Sequence, residues 1–167
     1  MFILHRGKTK MMFFKKGDTT HELRDGGLVS IDDSGNLVPP KNDSTDRVVG
    51  VCRANVSMTD TAYNPIGANS TPGFVPVEVP VENYVEWMID VDSDGGAADS
   101  DIGRYCAVDT TGGNSVNTGD SAGTRVDISD TAVRQVYIVG RQSATRIRGV
   151  IARLAGNAAG PDTAAAL

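Results

Sequence analysis

The acidic segment from Asp90 to Asp101 is the part of the chain whose residue types and spacing come closest to a metal-binding motif. Its four candidate ligands are Asp90, Asp92, Asp94 and Asp101. Carboxylates at alternate positions can converge on one hard cation, and a glycine at the sixth position, here Gly95, permits the sharp turn of a calcium loop. The twelfth residue is aspartate where such loops carry a bidentate glutamate, and the flanking sequences indicate strands where the motif needs helices. The segment therefore predicts either a Ca²⁺ site or a solvated acidic loop, and no other cofactor is expected.

Catalytic chemistry finds little support in the residue pattern. His5 and His21 are the only histidines, and a hydrolase of the serine type needs one beside a nucleophile and an orienting acid. His21 does follow two threonines and precede Glu22, but no nucleophile-elbow motif accompanies it. The glycine-rich segment 111–114 lacks the lysine of a phosphate-binding loop. We therefore expect no enzyme activity and assign no catalytic residues.

The elements that must position any site are short apolar runs separated by turn residues. Leu28–Ile31, Leu37–Val38 and Val48–Val51 are bounded by clusters of Gly, Pro, Asn and Asp, which predicts strands joined by a hairpin and a longer loop. Within Gly73–Asp92, valine alternates with proline or glutamate from Val75 to Glu82, the period of a half-buried strand. The two prolines predict an edge strand or an irregular extended segment, because proline has no N–H to donate to a second neighbour. The fold class expected is all-β.

The single tryptophan and the two cysteines are predicted to be buried. Trp87 lies in the most aromatic part of the chain and is expected to anchor the core, with an exposed binding role as the alternative. Cys52 and Cys106 both lie within apolar runs. We expect free, buried thiols at both positions, since a disulfide is disfavoured in a reducing compartment.

Charge is distributed unevenly along the sequence. The net charge is −5, and residues 1–24 alone carry six basic and two acidic side chains. An acidic protein is a poor candidate for bulk nucleic-acid binding, which needs a basic face. A basic N-terminal segment on an acidic body is typical of attachment to an acidic partner, although lysines that protect an edge strand would give the same pattern.

The sequence divides into three predicted parts. Residues 1–24 form a basic N-terminal arm, residues 25–154 form the β domain, and residues 155–167 form a flexible tail with little to bury. No run approaches the ~18 apolar residues that a membrane span needs. We therefore expect no membrane partner and synthesis in the cytosol.

The order of features in the β domain resembles that of tailed-bacteriophage head-decoration proteins, also called capsid cement or head-stabilising proteins. The residues that carry the resemblance are Gly26-Gly27-Leu28-Val29, Ser34-Gly35-Asn36-Leu37-Val38-Pro39, Arg47-Val48-Val49-Gly50-Val51, Asp99-Ser100-Asp101-Ile102-Gly103-Arg104-Tyr105, Tyr137-Ile138-Val139-Gly140-Arg141 and Ile147-Arg148-Gly149-Val150-Ile151. The resemblance implies a small β-barrel or β-tulip-like domain, here with long loops at 57–72 and 110–124. It also implies a structural role on the outer surface of the virion, after synthesis in the host cytoplasm.

The family resemblance implies the major capsid protein as partner, together with self-association in which a trimer is favoured. Such proteins bind expanded heads and stabilise them by bridging capsid subunits. The N-terminal arm is predicted to add a strand to a sheet edge on the shell. Its predicted contact residues are Phe2, Ile3, Leu4, Arg6, Lys8, Lys10, Met11, Met12, Phe13 and Phe14. The alternative function is a carbohydrate- or receptor-binding β module, in which an exposed Trp87 would act beside Ca²⁺ in the 90–101 loop.

Overall fold

The computed structural model describes residues 1–16, 22–40, 48–56, 74–82, 84–92, 96–109, 125–131 and 134–152, which fold as strands and one short 3₁₀ turn. The strands are β1 Phe2–Arg6, β2 Thr9–Lys15, β3 Leu28–Ile31, β4 Leu37–Val38, β5 Val48–Cys52, β6 Phe74–Pro80, β7 Glu86–Val91, β8 Tyr105–Val108, β9 Arg125–Asp127, β10 Val136–Ser143 and β11 Arg146–Ile151, with the 3₁₀ turn at Asp99–Asp101. Within these ranges there is no α-helix, and none of the elements could cross a bilayer as a helix. Asp94, the long loops at 57–72 and 110–124, and the tail 155–167 lie outside the described residues.

One sheet closes into a small barrel. Its strands follow the order β7-β11-β10-β8-β9, and β9 returns to pair in parallel with the end of β7 at Asp90 and Val91. β10 and β11 form an antiparallel hairpin. The prediction of an all-β fold with a small barrel is confirmed.

The remaining strands form a second, five-stranded antiparallel sheet of order β2-β6-β5-β3-β4. Leu28, Val48 and Val51 from this sheet belong to the same buried cluster as Trp87 and Ile138 of the barrel. Other residues of this sheet, together with residues that flank its strands, form a second buried cluster. Its members are Leu23, Val29, Leu37, Val49, Cys52, Ala54, Val56, Val75 and Val77. The barrel core is thus continuous with one part of the second sheet.

The first two strands join the two sheets to each other. β1 pairs with β7 beside the barrel, and β2 pairs with β6 in the second sheet. The chain passes from one sheet to the other at Gly7 and Lys8. Gly7 has φ +106°, and a side chain there would meet the backbone of Tyr84 and Val85 at 3.0 Å. The crossing therefore needs a glycine, both for its backbone conformation and for the close approach of the second chain segment.

The predicted N-terminal arm is corrected by these pairings. Residues 1–24 were expected to extend from a separate β domain, but Phe2–Arg6 and Thr9–Lys15 are strands within its two sheets. Phe2 is fully buried in the barrel core, and its N–H donates to the carbonyl oxygen of Gly26 at 2.7 Å. Burial of the large apolar side chain of Phe2 stabilises the folded state, whereas an extended arm would leave that side chain in water.

β6 lies inside the second sheet, so the edge position predicted from the prolines of Gly73–Asp92 is wrong. β2 flanks β6 on one side and β5 on the other. The N–H of Val81 donates to the carbonyl oxygen of Lys8 on the β2 side, whereas the carbonyl of Pro76 accepts from the N–H of Arg53 on the β5 side. Backbone groups along a strand point alternately to its two neighbours. Odd-numbered residues of this segment therefore bond to β2, and even-numbered residues face β5.

The prolines fit an interior strand because both face the neighbour with the shorter ladder. Pro76 and Pro80 turn their nitrogens toward β5, where the ladder contains pairs only at Val77 and Glu78. Neither missing N–H therefore interrupts the seven-residue ladder between β6 and β2. The two prolines in the sequence show that one side of the strand lacks two N–H donors. They do not show whether a neighbouring strand lies on that side.

The predicted core residues are confirmed. Trp87 is fully buried in the barrel, and Cys52 and Cys106 are buried free thiols. Burial raises the pKa of the Cys52 thiol to about 11, and it also raises the pKa of Cys106. Gly50 lies against the carbonyl oxygen of Glu78, and the β3–β5 register shifts beside it.

Candidate binding site

The aspartates of the predicted calcium loop lie in two different places. Asp90 ends β7 and accepts hydrogen bonds from Arg146 at 2.7 and 2.9 Å and from the Met1 amino group at 3.0 Å. Asp101 closes the 3₁₀ turn, where its carboxylate accepts from the backbone N–H of Ala98. Among the residues that the structure describes, no group of three potential ligands lies close enough to hold a metal ion. Calcium binding through Asp94 and Asp92 stays a prediction. The carboxylate of Asp90 already has positive counter-charges in Arg146 and the Met1 amino group.

The histidines show no catalytic arrangement in the described part of the chain. His5 is exposed in β1, and His21 lies outside the described residues. No hydrogen bond joins His5 to a hydroxyl, thiol or carboxylate within the described ranges, so a nucleophile–base pair is not formed there. The prediction of a non-enzymatic protein is not tested by this placement.

The most distinctive surface feature is the outer side of β2. β2 is the last strand of its sheet, and all seven of its residues pair with β6. Because the odd-numbered residues of β6 bond to β2, the residues opposite them, Lys10, Met12 and Phe14, turn their backbone groups inward. The intervening residues turn theirs outward. We call the outward N–H and C=O groups the free edge of β2; they belong to Thr9, Met11, Phe13 and Lys15.

No described residue donates to or accepts from the free edge of β2. The strand of seven residues thus has four outward residues at alternate positions, and each presents one N–H donor and one C=O acceptor. Such an edge is a template for another strand, and most proteins cover it, shorten it or bend it away. Here it is both long and continuous.

Apolar side chains project from both faces of β2. Met11 and Phe13 on one face are 47% and 50% exposed, and Met12 on the other is 40% exposed. Phe14, on the Met12 face, packs against the second buried cluster. A strand added at the free edge would therefore cover apolar surface on both faces of the extended sheet, in addition to forming backbone hydrogen bonds.

Basic groups surround the N-terminal end of β2. Arg6, Gly7, Lys8, Glu82 and Tyr84 line a shallow open cavity of about 540 Å³ beside the crossing between the sheets. The Lys8 ammonium lies 3.6 Å from Glu82 and is mostly exposed, and Tyr84 is 51% exposed. With Lys10 in β2 itself, this end of the strand carries exposed positive charge on an acidic protein, and Lys15 adds a further basic group at the other end.

The predicted contact residues are divided by the fold into buried and accessible groups. Phe2 is buried and Leu4 packs against the barrel core, whereas Ile3 is 43% exposed. The other predicted contacts, from Arg6 to Phe14, lie at the crossing or in β2 and are accessible or half-buried: they are Arg6, Lys8, Lys10, Met11, Met12, Phe13 and Phe14. The structure therefore concentrates the accessible part of the prediction in one strand.

Sequence reasoning missed Thr9 and Lys15 as members of this site. Their contribution is backbone groups at the ends of the free edge, and no side-chain pattern reports which side of a strand is paired. The usable signal was the run Met11–Phe14, four consecutive apolar residues. A strand with one face in water alternates polar and apolar residues. This apolar run therefore indicates that both faces of the strand contact other protein surface.

Trp87 is not available as a binding platform. Its ring is fully buried, and the guanidinium of Arg53 lies 5.9 Å from the ring centroid. The exposed tryptophan that would have favoured a carbohydrate-binding module is therefore not present in this fold.

The free edge of β2 is the candidate site with the strongest geometric support. Comparison with protein-family models, with curated proteins and with solved structures gave no match to this chain.

Proposed function

We propose that the protein is a non-enzymatic capsid decoration protein that binds the outer surface of an expanded viral head through the free edge of β2. A strand of the major capsid protein would pair with this edge and extend the second sheet by one strand. The observation that carries the proposal is a seven-residue edge strand with exposed Met11, Met12 and Phe13, whose outward backbone groups have no partner among the described residues. The resemblance of residues 25–154 to head-decoration proteins supplies the identity of the partner.

The composition of β2 favours a binding edge over a merely protected one. Protected edges carry a charged residue or proline near their centre, where it prevents pairing. In β2 the lysines stand toward the two ends, at Lys10 and Lys15, and the centre is Met11–Phe14. Charge at the ends of a strand steers an acidic partner without blocking the central hydrogen bonds.

The rest of the molecule supports a scaffold role. β2 belongs to a sheet whose core is continuous with the barrel, so a force on the added strand is transmitted to the whole domain. Repetition over a symmetric lattice then multiplies a modest contact into stable attachment. No step of this function needs a catalytic residue or a cofactor.

The proposal is tested by co-sedimentation of the protein with compact and expanded shells, using Met11→Pro as the blocking variant. The Met11 N–H lies on the free edge, so proline removes a donor that β6 does not use, and the fold should be retained. Met11→Ala is the matched control, because it removes the side chain and keeps the N–H. We expect Met11→Ala to bind expanded shells and Met11→Pro to lose binding, with circular dichroism and urea midpoints close to those of the parent.

Met12→Pro checks the assigned orientation of the strand. The Met12 N–H faces β6, so this variant should unfold or lose β2, in contrast to Met11→Pro. Equal binding of Met11→Pro and Met11→Ala to expanded shells would show that the free edge is not the attachment site. Absence of binding by the parent protein to either kind of shell would overturn the decoration function itself.

A further inference from the structure

We infer that, away from a shell, the free edge of β2 is closed by β2 of a second copy of this chain, in an antiparallel pair with Met12 on the two-fold axis. The dimer follows from the geometry, charge and exposed side chains of β2. Only its consequence for attachment, that shell binding must displace the second copy, rests on the proposed function.

The free edge is complementary to itself. In an antiparallel pair, residues with outward backbone groups must oppose one another, and a two-fold axis through Met12 satisfies this at every position. Thr9 then opposes Lys15 of the second copy, and Met11 opposes Phe13. Both relations occur twice by symmetry. All four outward residues of each strand are paired, which gives about eight hydrogen bonds.

Charge selects this register over its nearest symmetric alternatives. With Met12 on the axis, Lys10 opposes Phe14 and Lys15 opposes Thr9, so no lysine faces a lysine. An axis moved to Phe13 would set Lys10 against Lys16, which is buried and carries the same charge. An axis moved to Met11 would set Lys15 against Gly7, which lies outside the strand and has a positive φ, and would leave three hydrogen-bonded pairs in place of four.

The same register covers the exposed apolar side chains of β2 on both faces. Met11 of each copy meets Phe13 of the other on one face, and the two Met12 side chains meet on the opposite face. Residues directly opposite in an antiparallel pair have their Cβ atoms about 4.5–5.5 Å apart, close enough for contact. These three side chains are 40–50% exposed in the single chain.

Self-pairing gives the exposed strand a defined alternative to aggregation. The two sheets would become one sheet of ten strands, and the edge would be unavailable to other chains. A two-fold pair must separate before β2 can accept a capsid strand or take part in the trimers that the family resemblance implies. The shell would therefore compete with the second copy for one edge.

Disulfide trapping tests the register directly. In Met12→Cys the two introduced cysteines form a non-hydrogen-bonded pair with Cα atoms about 4.5 Å apart, within the range for a disulfide. In Met11→Cys, at an equally exposed position, the cysteines are diagonal neighbours about 7–8 Å apart. Under oxidised glutathione, we expect Met12→Cys to form covalent dimers roughly tenfold faster than Met11→Cys, because only the former meets the disulfide geometry. Cys52 and Cys106 are buried and should add no background.

Sedimentation equilibrium provides the second measurement. The parent protein should show a concentration-dependent monomer–dimer equilibrium, and Met11→Pro should remain monomeric. A monomeric parent protein at high concentration, or equal trapping of the two cysteine variants, would overturn the dimer. Neither result would depend on shell binding.

The competition is tested with the trapped Met12→Cys dimer. The oxidised dimer should fail to bind expanded shells, and reduction should restore binding. If the oxidised dimer binds as well as the reduced protein, the edge is not shared. If neither form binds while trapping succeeds, the dimer stands and the proposed shell function fails.

Discussion

At the scale of single residues, Asp90 is held by two basic groups, the guanidinium of Arg146 and the amino group of Met1. Burial alone would raise the pKa of Asp90, but hydrogen bonds and charge from Arg146 and the Met1 amino group outweigh burial and lower it. Arg146 donates through two nitrogens to one oxygen of the carboxylate. The residue therefore joins β7 to β11 as an ion pair, in the barrel wall, where the sequence suggested a metal ligand.

The lowered pKa predicts how stability depends on pH. A carboxyl group whose pKa is lower in the folded state stabilises the protein above its unfolded value of about 3.9, and this contribution is lost as pH falls through the folded value. Asp90→Asn should therefore lower the free energy of unfolding at pH 7, and the difference from the parent should shrink below pH ~4. Urea denaturation across pH 2.5–7 measures it.

Asp99→Asn is the control for this prediction, because its carboxylate is 83% exposed, although it also contacts an arginine. Exposed ion pairs contribute at most about 1 kcal/mol, so this variant should change stability little at any pH. A difference between Asp90→Asn and the parent that stays constant down to pH 2.5 would contradict the role given to the charge.

At the scale of elements, Arg53 joins three strands that the sequence could not bring together. Its guanidinium pairs with Glu78 of β6, donates to the carbonyl oxygen of Phe2 in β1 at 3.2 Å, and lies over the ring of Trp87 in β7. Arg53 immediately follows β5. Its side chain therefore spans the junction between the second sheet and the barrel.

Removing the guanidinium should weaken this junction. Arg53→Met keeps most of the apolar stem, loses the hydrogen bonds, and leaves Glu78, 14% exposed, without its main partner. Hydrogen bonds to charged groups contribute about 1.5–3 kcal/mol, so we expect a loss of roughly that size in urea denaturation. The double variant Arg53→Met with Glu78→Gln should cost less than the sum of the two single variants, since it leaves no unpaired charge. Strict additivity would show that Arg53 and Glu78 do not stabilise each other.

The elements also show what local sequence could predict. β3, β4 and β5 were found within one residue of their observed bounds, because turn residues bracket short β-branched runs. The position of β6 and the pairing of residues 2–15 were not found, since both depend on partners that are distant in the chain, as Thr9 is from Pro80 and Lys15 from Phe74. The accessible residues of the candidate site were identified from charge and apolarity, but its free edge followed only from the register with β6.

At the scale of the whole molecule, the barrel and the second sheet share a core, and this predicts a single unfolding transition. Leu28, Val48 and Val51 of the second sheet pack in one cluster with Trp87 and Phe2, so neither sheet can open without exposing apolar surface of the other. Small domains with one continuous core unfold in an all-or-none manner. Two residues of this chain report on the two parts separately.

Trp87 is the only tryptophan and reports on the barrel, whereas Cys52 reports on the second buried cluster. Its raised pKa and burial keep the Cys52 thiol unreactive until the second sheet opens. With Cys106 replaced by alanine, tryptophan fluorescence and pulsed alkylation of Cys52 should give the same urea midpoint, because β3 and β5 contribute side chains to both buried clusters. Val51→Ala, which opens a cavity at the shared core, should lower both midpoints together, by an amount equivalent to about 1–3 kcal/mol. A midpoint for Cys52 alkylation well below that for fluorescence would show that the second sheet, and with it the free edge of β2, opens independently of the barrel.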